Sequence, residues 1–261
     1  MIFDHTNLPS RTRPYPVKAI EMRLFRPKEL GLMGKAVAFD DMQPAIDAIG
    51  NCLSNLDVNQ LTVGDFYYLL TYQRIHSLRR NPAMARWECE GAMFRGRENG
   101  VAYTPKSIKI MVDNWEAADA ETRKNMVDPE SVQLDGYRCS HGNYQETTME
   151  DFSIIHLEDD VVLDPRLDFP RCDTLAEYIK LLRDPDYSAL ADAGRWIKGS
   201  GPLIKRLIDL VQGEDNDLFE AACEAERDIQ HGIRRTVLKA CSHCDHKQSL
   251  IFVIDPKAFL L

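Results

Sequence analysis

The sequence predicts an α+β protein: an N-terminal strand-helix unit, an elaborated central β segment, and a C-terminal helical bundle that closes with a short strand. Three observations predict it. Ile20, Met22 and Leu24 alternate with Glu21 and Arg23, the period-2 pattern of a half-buried strand. Leu203, Leu207 and Leu210 join Ile204, Ile208 and Val211 in a strongly apolar helix. Between these, over residues 81–135, Pro82, Pro105 and Pro129 punctuate short strand-like runs.

In chain order, residues 1–16 carry three prolines and three charged side chains without periodicity. They are expected to form an extended arm that is ordered only against a partner. Asp41 and Pro44 open a helix with Met42, Ile46, Ile49 and Leu53 on one stripe. Thr62 and Asp65 resemble a capping box, with Asp in place of Glu, for a helix that runs through Phe66, Leu69 and Leu70 to about Leu78. Both helices are expected to pack on the first strand. Residues 107–112 read as a strand and 115–125 as a short solvated helix. Residues 132–139 and 152–157 read as a strand pair, followed by an acidic turn at Glu158, Asp159 and Asp160.

The last third reads as helical. Thr174 and Glu177 have full capping-box spacing, with Leu175, Tyr178, Ile179 and Leu182 on one face. Asn216 is placed to cap a helix that continues through Phe219, Ala222, Cys223 and Ile229 to a stop at Gly232. Residues 250–254 form an unbroken β-branched and aromatic run. The expected organisation is an arm at 1–16, an α+β domain at 17–170 with an insertion at about 90–138, and a helical domain at 171–261.

The chain has 261 residues, of which 44% are hydrophobic, enough to fill a core. Its formal net charge of -9 repels phosphate backbones and acidic membrane surfaces, which argues against nucleic acid as a partner. No stretch approaches the roughly 20 apolar residues of a membrane span, and the N-terminus lacks the cationic start and apolar run of a secretory signal. A soluble protein outside the Sec route is expected. Seven cysteines, an odd number in a long chain, suit a reducing cytoplasm better than a disulfide framework. Cys52 and Cys223, within apolar helical patterns, are expected to be small buried hydrophobes.

One cluster carries a chemical argument. Cys241 and Cys244, in CSHC ahead of a strand, have the C-x-x-C spacing of a zinc knuckle. The remaining ligands are available from Cys89 and from Cys139 in YRCSHG, with His141, His243 or His246 as substitutes. Four cysteines would form a closed, structural Zn2+ site tying the central strands to the terminal strand. An ordinary turn with free thiols is the alternative. A redox C-x-x-C requires a following helix, and a strand follows here. Asp40, Asp41 and the acidic triplet at 158–160 read as solvated turns, because the chain has 41 acidic residues. Arg74, His76, Arg79 and Arg80 read as a basic helix end. WIKGSGPL (196–203) lacks a phosphate-loop pattern and reads as a connector. No hydrolase, zincin or Walker signature occurs, so no enzyme is expected.

Three stretches in order, FRPKELGLMGKAVAFDDMQPAIDAIGNCL (25–53), LTVGDFYYLLTYQRIHSL (61–78) and the closing CSHCDHKQSLIFVIDPKAFLL, carry a family resemblance. Together they resemble the baseplate hub subunit family of T-even-like and other contractile-tailed bacteriophages. The resemblance implies a structural, multimeric subunit that contacts other tail and baseplate proteins, in the virion tail baseplate and, during assembly, the host cytoplasm. A transient hub assembly chaperone is the runner-up. A zinc-ribbon regulatory or nucleic-acid-binding protein is the third reading, favoured by CSHC and opposed by the charge. The chain departs from the family in its first knuckle: members often carry a complete C-x-x-C there, whereas this sequence has Cys89, a long insertion and then Cys139.

Overall fold

A computed structural model describes residues 1–77, 84–97, 100–146, 148–199, 201–213, 215–234 and 236–251. In chain order the first elements are β1 (Ile2–Asp4), β2 (Ala19–Glu21), α1 (Pro27–Phe39), α2 (Gln43–Gly50) and α3 (Val63–Ser77). The central ones are β3 (Met84–Glu88), β4 (Ala92–Gly96), β5 (Ala102–Tyr103), α4 (Pro105–Ala117), α5 (Ala120–Arg123), β6 (Leu134–Arg138), β7 (Gly142–Glu146) and β8 (Ser153–Ile155). The last are α6 (Cys172–Leu181), α7 (Ser188–Gly194), α8 (Leu203–Gly213), α9 (Asn216–Asp228), β9 (Gly232–Arg234), β10 (Thr236–Ala240) and β11 (Lys247–Ile251). Small antiparallel sheets beside many helices make this an α+β fold. No helix among the described residues is long and apolar enough to cross a membrane.

The described residues fall into two compact units, 1–77 with 148–234 and 84–146 with 236–251. The boundary expected at 170 does not appear. The change in composition there marks where helices take over from strands, whereas the units follow long-range strand pairing. The expected pairing of 132–139 with 152–157 is also replaced: β6 pairs with β4, and β8 pairs with β9.

In the first unit, residues 1–16 are folded in rather than extended. β1 pairs with β2, and Phe3 is buried edge-on against Tyr68 and Tyr72 of α3. Leu8, Ser10 and Tyr15 are buried as well. The buried Asp65 carboxylate accepts hydrogen bonds from the Ser10 amide at 2.9 Å, from the Ser10 hydroxyl and from the Tyr15 hydroxyl. Turns place these anchors, so no period of 2 or 3.6 betrays them in sequence.

The α1 helix, missed from sequence, begins with Pro27, and Glu29 accepts the Arg26 amide at 2.8 Å. Arg23 grips the buried Glu29 with two hydrogen bonds of 2.9 and 3.1 Å. This holds the Glu29 carboxyl down at about 2, with the Arg23 guanidinium as the main cause. Ala45, Ile46, Ala48 and Ile49 of α2 and Phe66, Leu69 and Leu70 of α3 supply core side chains. The Thr62 hydroxyl accepts the Asp65 amide at 3.3 Å. Gln73 donates to the Arg23 carbonyl at 2.7 Å and accepts the Phe25 amide at 2.9 Å, which satisfies the chain just beyond β2. The helix is described to Ser77; the end expected at about Leu78, with Arg79 and Arg80, lies outside the described residues.

The helices α6 to α9 pack together through Leu181, Ala191, Leu203 and Leu207 and through Ala193, Trp196, Ala222 and Ala225. The expected capping box is rearranged. Arg171 is the N-cap residue of α6, and Glu177 reaches across to accept the amides of Leu203 and Ile204 at 2.6 and 2.9 Å, capping α8. Asp215, rather than Asn216, caps α9 by accepting the Leu218 amide at 3.0 Å. The helix ends at Asp228, and Gly232, at φ 137°, opens β9.

In the second unit, residues 107–112, expected to be a strand, belong to α4. Pro105 and a Thr104–Ser107 capping box start a helix there, and this local signal overrides the β-branched run. The remainder of the expected terminal run, beyond Ile251, lies outside the described residues.

Candidate metal centre

The strands that carry Cys89 and Cys139 form one long two-stranded ribbon. Met84 pairs with Glu146, Glu88 with Gly142, Ala92 with Arg138 and Gly96 with Leu134, so β3–β7 and β4–β6 share a single register. Backbone bonds continue through the break: Cys89 N to His141 O at 3.0 Å, Ser140 N to Cys89 O at 3.2 Å and Cys139 N to Gly91 O at 2.8 Å. In this register Cys89 lies opposite His141 and Cys139 opposite Gly91, which makes the two cysteines diagonal neighbours. Ser140, at φ 46°, interrupts the pleat between β6 and β7.

The other two thiols come from the β10–β11 hairpin, in register from Thr236 with Ile251 to Ala240 with Lys247. Its loop is closed by Cys241 N to His246 O at 2.8 Å and Asp245 N to Cys241 O at 2.9 Å, and Asp245 sits at φ 57°. The four sulfurs of Cys89, Cys139, Cys241 and Cys244 all lie within 4.8 Å of one another. Cys89 Sγ is 3.5 Å from Cys244 Sγ, and Cys139 Sγ is 4.0 Å from Cys241 Sγ. Four sulfurs each ~2.3 Å from a shared tetrahedral centre are ~3.8 Å apart, so the group has the dimensions of a metal cage. All four cysteines are free. Cys89, Cys241 and Cys244 are buried and Cys139 half-buried, inside a jacket of Trp87, Met93 and Leu250.

A recurrent contact suits these sulfurs to negative charge. The Gly91 amide donates to Cys89 Sγ at 3.2 Å and the His243 amide to Cys241 Sγ at 3.4 Å, each from two residues ahead. The amides of His141 and His246 stand in the same relation to Cys139 and Cys244 and favour their thiolates. Burial still pushes the Cys89, Cys139 and Cys244 thiols up. At Cys241, burial pulls upward most strongly, yet the His243 and Cys244 amides, the Asn143 side chain and Cys89 together bring the thiol down to about 6. Such a four-thiol group can hold a metal ion, and it leaves no protein-free coordination position for a substrate.

No family model, curated protein or solved structure matches this chain.

Sequence reasoning missed two residues of the site. The Asn143 amide donates to the His141 carbonyl at 2.9 Å and to Cys241 Sγ at 3.5 Å, and its oxygen accepts from the Ser242 amide and hydroxyl at 3.0 and 2.9 Å. It therefore orients one ligand through hydrogen bonds that bridge ribbon and loop. Gly91 is the second. Its spacing two residues after Cys89 was the available signal, since knuckle amides need a backbone that approaches closely.

Among the described residues the ligand group holds the four cysteines and none of the other candidates. His141 and His243 are exposed and stack with ring centroids 5.2 Å apart, while His246 packs beside Gly91. Asp40 pairs with Arg183 at 2.8 Å and Asp41 with Lys180 at 3.9 Å. Asp159 pairs with Arg11 at 2.8 Å on the surface. Cys52 is buried, with its thiol pushed up to about 11 by desolvation. Cys223, expected to be buried, is exposed: the buried face of α9 is formed by Ala222 and Ala225.

Proposed function

We propose that this protein is a structural subunit of a contractile-tail baseplate, in the hub region, which acts by protein-protein contact rather than catalysis and carries a structural zinc. The observation that supports the structural role is the convergence of four cysteine sulfurs, drawn from three segments up to 155 residues apart, on one small volume. A tetrahedral four-thiolate set suits zinc or iron; zinc is redox-inert and crosslinks segments in a reducing compartment, where a disulfide does not persist. Cys89, Cys139, Cys241 and Cys244 would hold the ion, with Asn143 and the knuckle amides orienting the sulfurs. The bound ion supplies a crosslink and no reaction.

The tail assignment rests on the resemblance of residues 25–53, 61–78 and 241–261 to hub subunits, taken in that order. The net charge of -9 supports protein partners over nucleic acid.

Two measurements test the proposal. Metal analysis of freshly purified protein is expected to find one zinc per chain; iron or no metal in its place overturns the zinc assignment. Quantitative mass spectrometry of purified contractile-tailed virions that encode the chain is expected to find it at stoichiometric level. Its absence from particles, with accumulation in infected cells, replaces the subunit by an assembly chaperone.

A further inference from the structure

The helical bundle contains a second polar constellation, remote from the cysteines in sequence. Arg206 projects from the first turn of α8, and its side chain is only 13% exposed. Nη1 donates to the Ile197 carbonyl at 3.3 Å, which sets the plane of the guanidinium. Nη2 lies 4.0 Å from Asp173 Oδ2, beyond hydrogen-bonding reach. Nε is buried and has no hydrogen-bond partner among the described residues. An orphaned donor of this kind calls for an explanation, and an absent ligand is one. The Nε and Nη2 edge is the one with which arginine grips a carboxylate or phosphate through two parallel hydrogen bonds.

Arg206 lines a cavity of about 200 Å³ together with Arg171, Arg195, Lys198 and Gly199. Arg171 is held by Asp168 at 3.2 Å and Arg195 by Glu226 at 2.6 Å. The lining carries four cations and two carboxylates, Asp168, which is engaged by Arg171, and Asp173, which stands off Arg206; Lys198 is exposed. The amides at the start of α8 are already taken by Glu177. Attraction for an anion therefore comes from these side chains and not from the helix end. A Cβ on Gly199 would stand in ordinary contact 3.6 Å from Arg206 Nε, so the larger branched side chain of valine at this position would crowd the unpartnered nitrogen.

We propose that this cavity binds a small phosphate-type oxyanion, gripped by the Nε and Nη2 edge of Arg206 and neutralised by Lys198. The site is independent of the metal centre and of the baseplate assignment. Isothermal titration with inorganic phosphate at fixed ionic strength tests it on the full chain, in the wild type and in Arg206→Lys, Lys198→Met and Gly199→Val. One saturable site is expected in the wild type. Arg206→Lys keeps the charge but loses the fork, and is expected to weaken binding about tenfold or more. Gly199→Val is expected to weaken binding while leaving the unfolding temperature without phosphate unchanged, and Lys198→Met to weaken it more at low salt than at high. Phosphate heats no larger than those of chloride in the wild type overturn the proposal. So does wild-type affinity in Gly199→Val, which decides the matter even if Arg206→Lys fails to fold.

Discussion

Gly91 and His246 approach so closely that a Cβ on residue 91 would lie 2.5 Å from the Cβ of His246 and 3.1 Å from Cys244 Sγ. The ribbon can deliver Cys89 to the hairpin loop only with no side chain at this position. Gly91→Ala is therefore expected to push the CSHC loop away, lower the bound metal and destabilise this unit by about 1–3 kcal/mol. Metal content and chemical denaturation measure both effects. Full metal loading with unchanged stability would show that the loop yields freely.

Removal of the metal is expected to act locally. Dialysis against a strong chelator should accelerate hydrogen exchange across residues 84–97, 134–146 and 236–251, because a crosslink between ribbon and hairpin is lost. Amides of α3 should stay protected. If exchange in the second unit does not respond to chelation, the thiols are free and carry no structural ion. Cys139→Ser should reproduce the chelator effect.

Glu29 is expected to make stability sensitive to acid. Its carboxyl is held at about 2 against an ordinary 4.5, chiefly by the Arg23 guanidinium. A depressed carboxyl contributes stability that is complete above pH 4.5 and is lost as the pH falls from 4.5 towards 2. The shift corresponds to on the order of 2–3 kcal/mol, nearer the lower figure because solvent screens the partly exposed Arg23. Urea denaturation of the wild type and Arg23→Met should show a gap at pH 6 that closes towards pH 2. A gap that is independent of pH would place the effect in packing instead.

Tyr15 is expected to hold the N-terminal segment in place. Its hydroxyl donates to Asp65 and accepts the Thr62 amide at 3.0 Å. Tyr15→Phe takes the acceptor from the buried Thr62 amide and one of three donors from the Asp65 carboxylate, and should cost about 1–3 kcal/mol. It should also raise exchange at the amides of Leu8 and Ser10. Free exchange of these amides already in the wild type would restore the extended arm that the proline content suggests.

Much of the helical structure was legible, since an apolar stripe or a capping signal is a local property. The α3 helix, with Phe66, Leu69 and Leu70 inward, and the α8 stripe of Leu203, Leu207 and Leu210 follow from spacing alone. Where a competing local signal existed, the stronger one prevailed, as at residues 105–117, where Pro105 and Thr104 start a helix across an apparent strand. The arm was misread because Phe3, Leu8 and Tyr15 are buried by turns and by one buried carboxylate, none of which leaves a period.

At the candidate metal centre the division is sharper. The sequence by itself determined a knuckle, because Cys241 and Cys244 are held near each other by the few bonds of one tight loop, and it named Cys89 and Cys139 as available partners. Tertiary structure alone decided that all four sulfurs meet, that Gly91 must lack a side chain, and that Asn143 ties the ribbon to the loop. Cys89 and Cys139 become diagonal neighbours only because the β3–β7 and β4–β6 ladders share one register across the insertion at its tip. Register is set by hydrogen bonds and packing between segments some 50 residues apart in sequence, and no local pattern of residues encodes a pairing made at that distance.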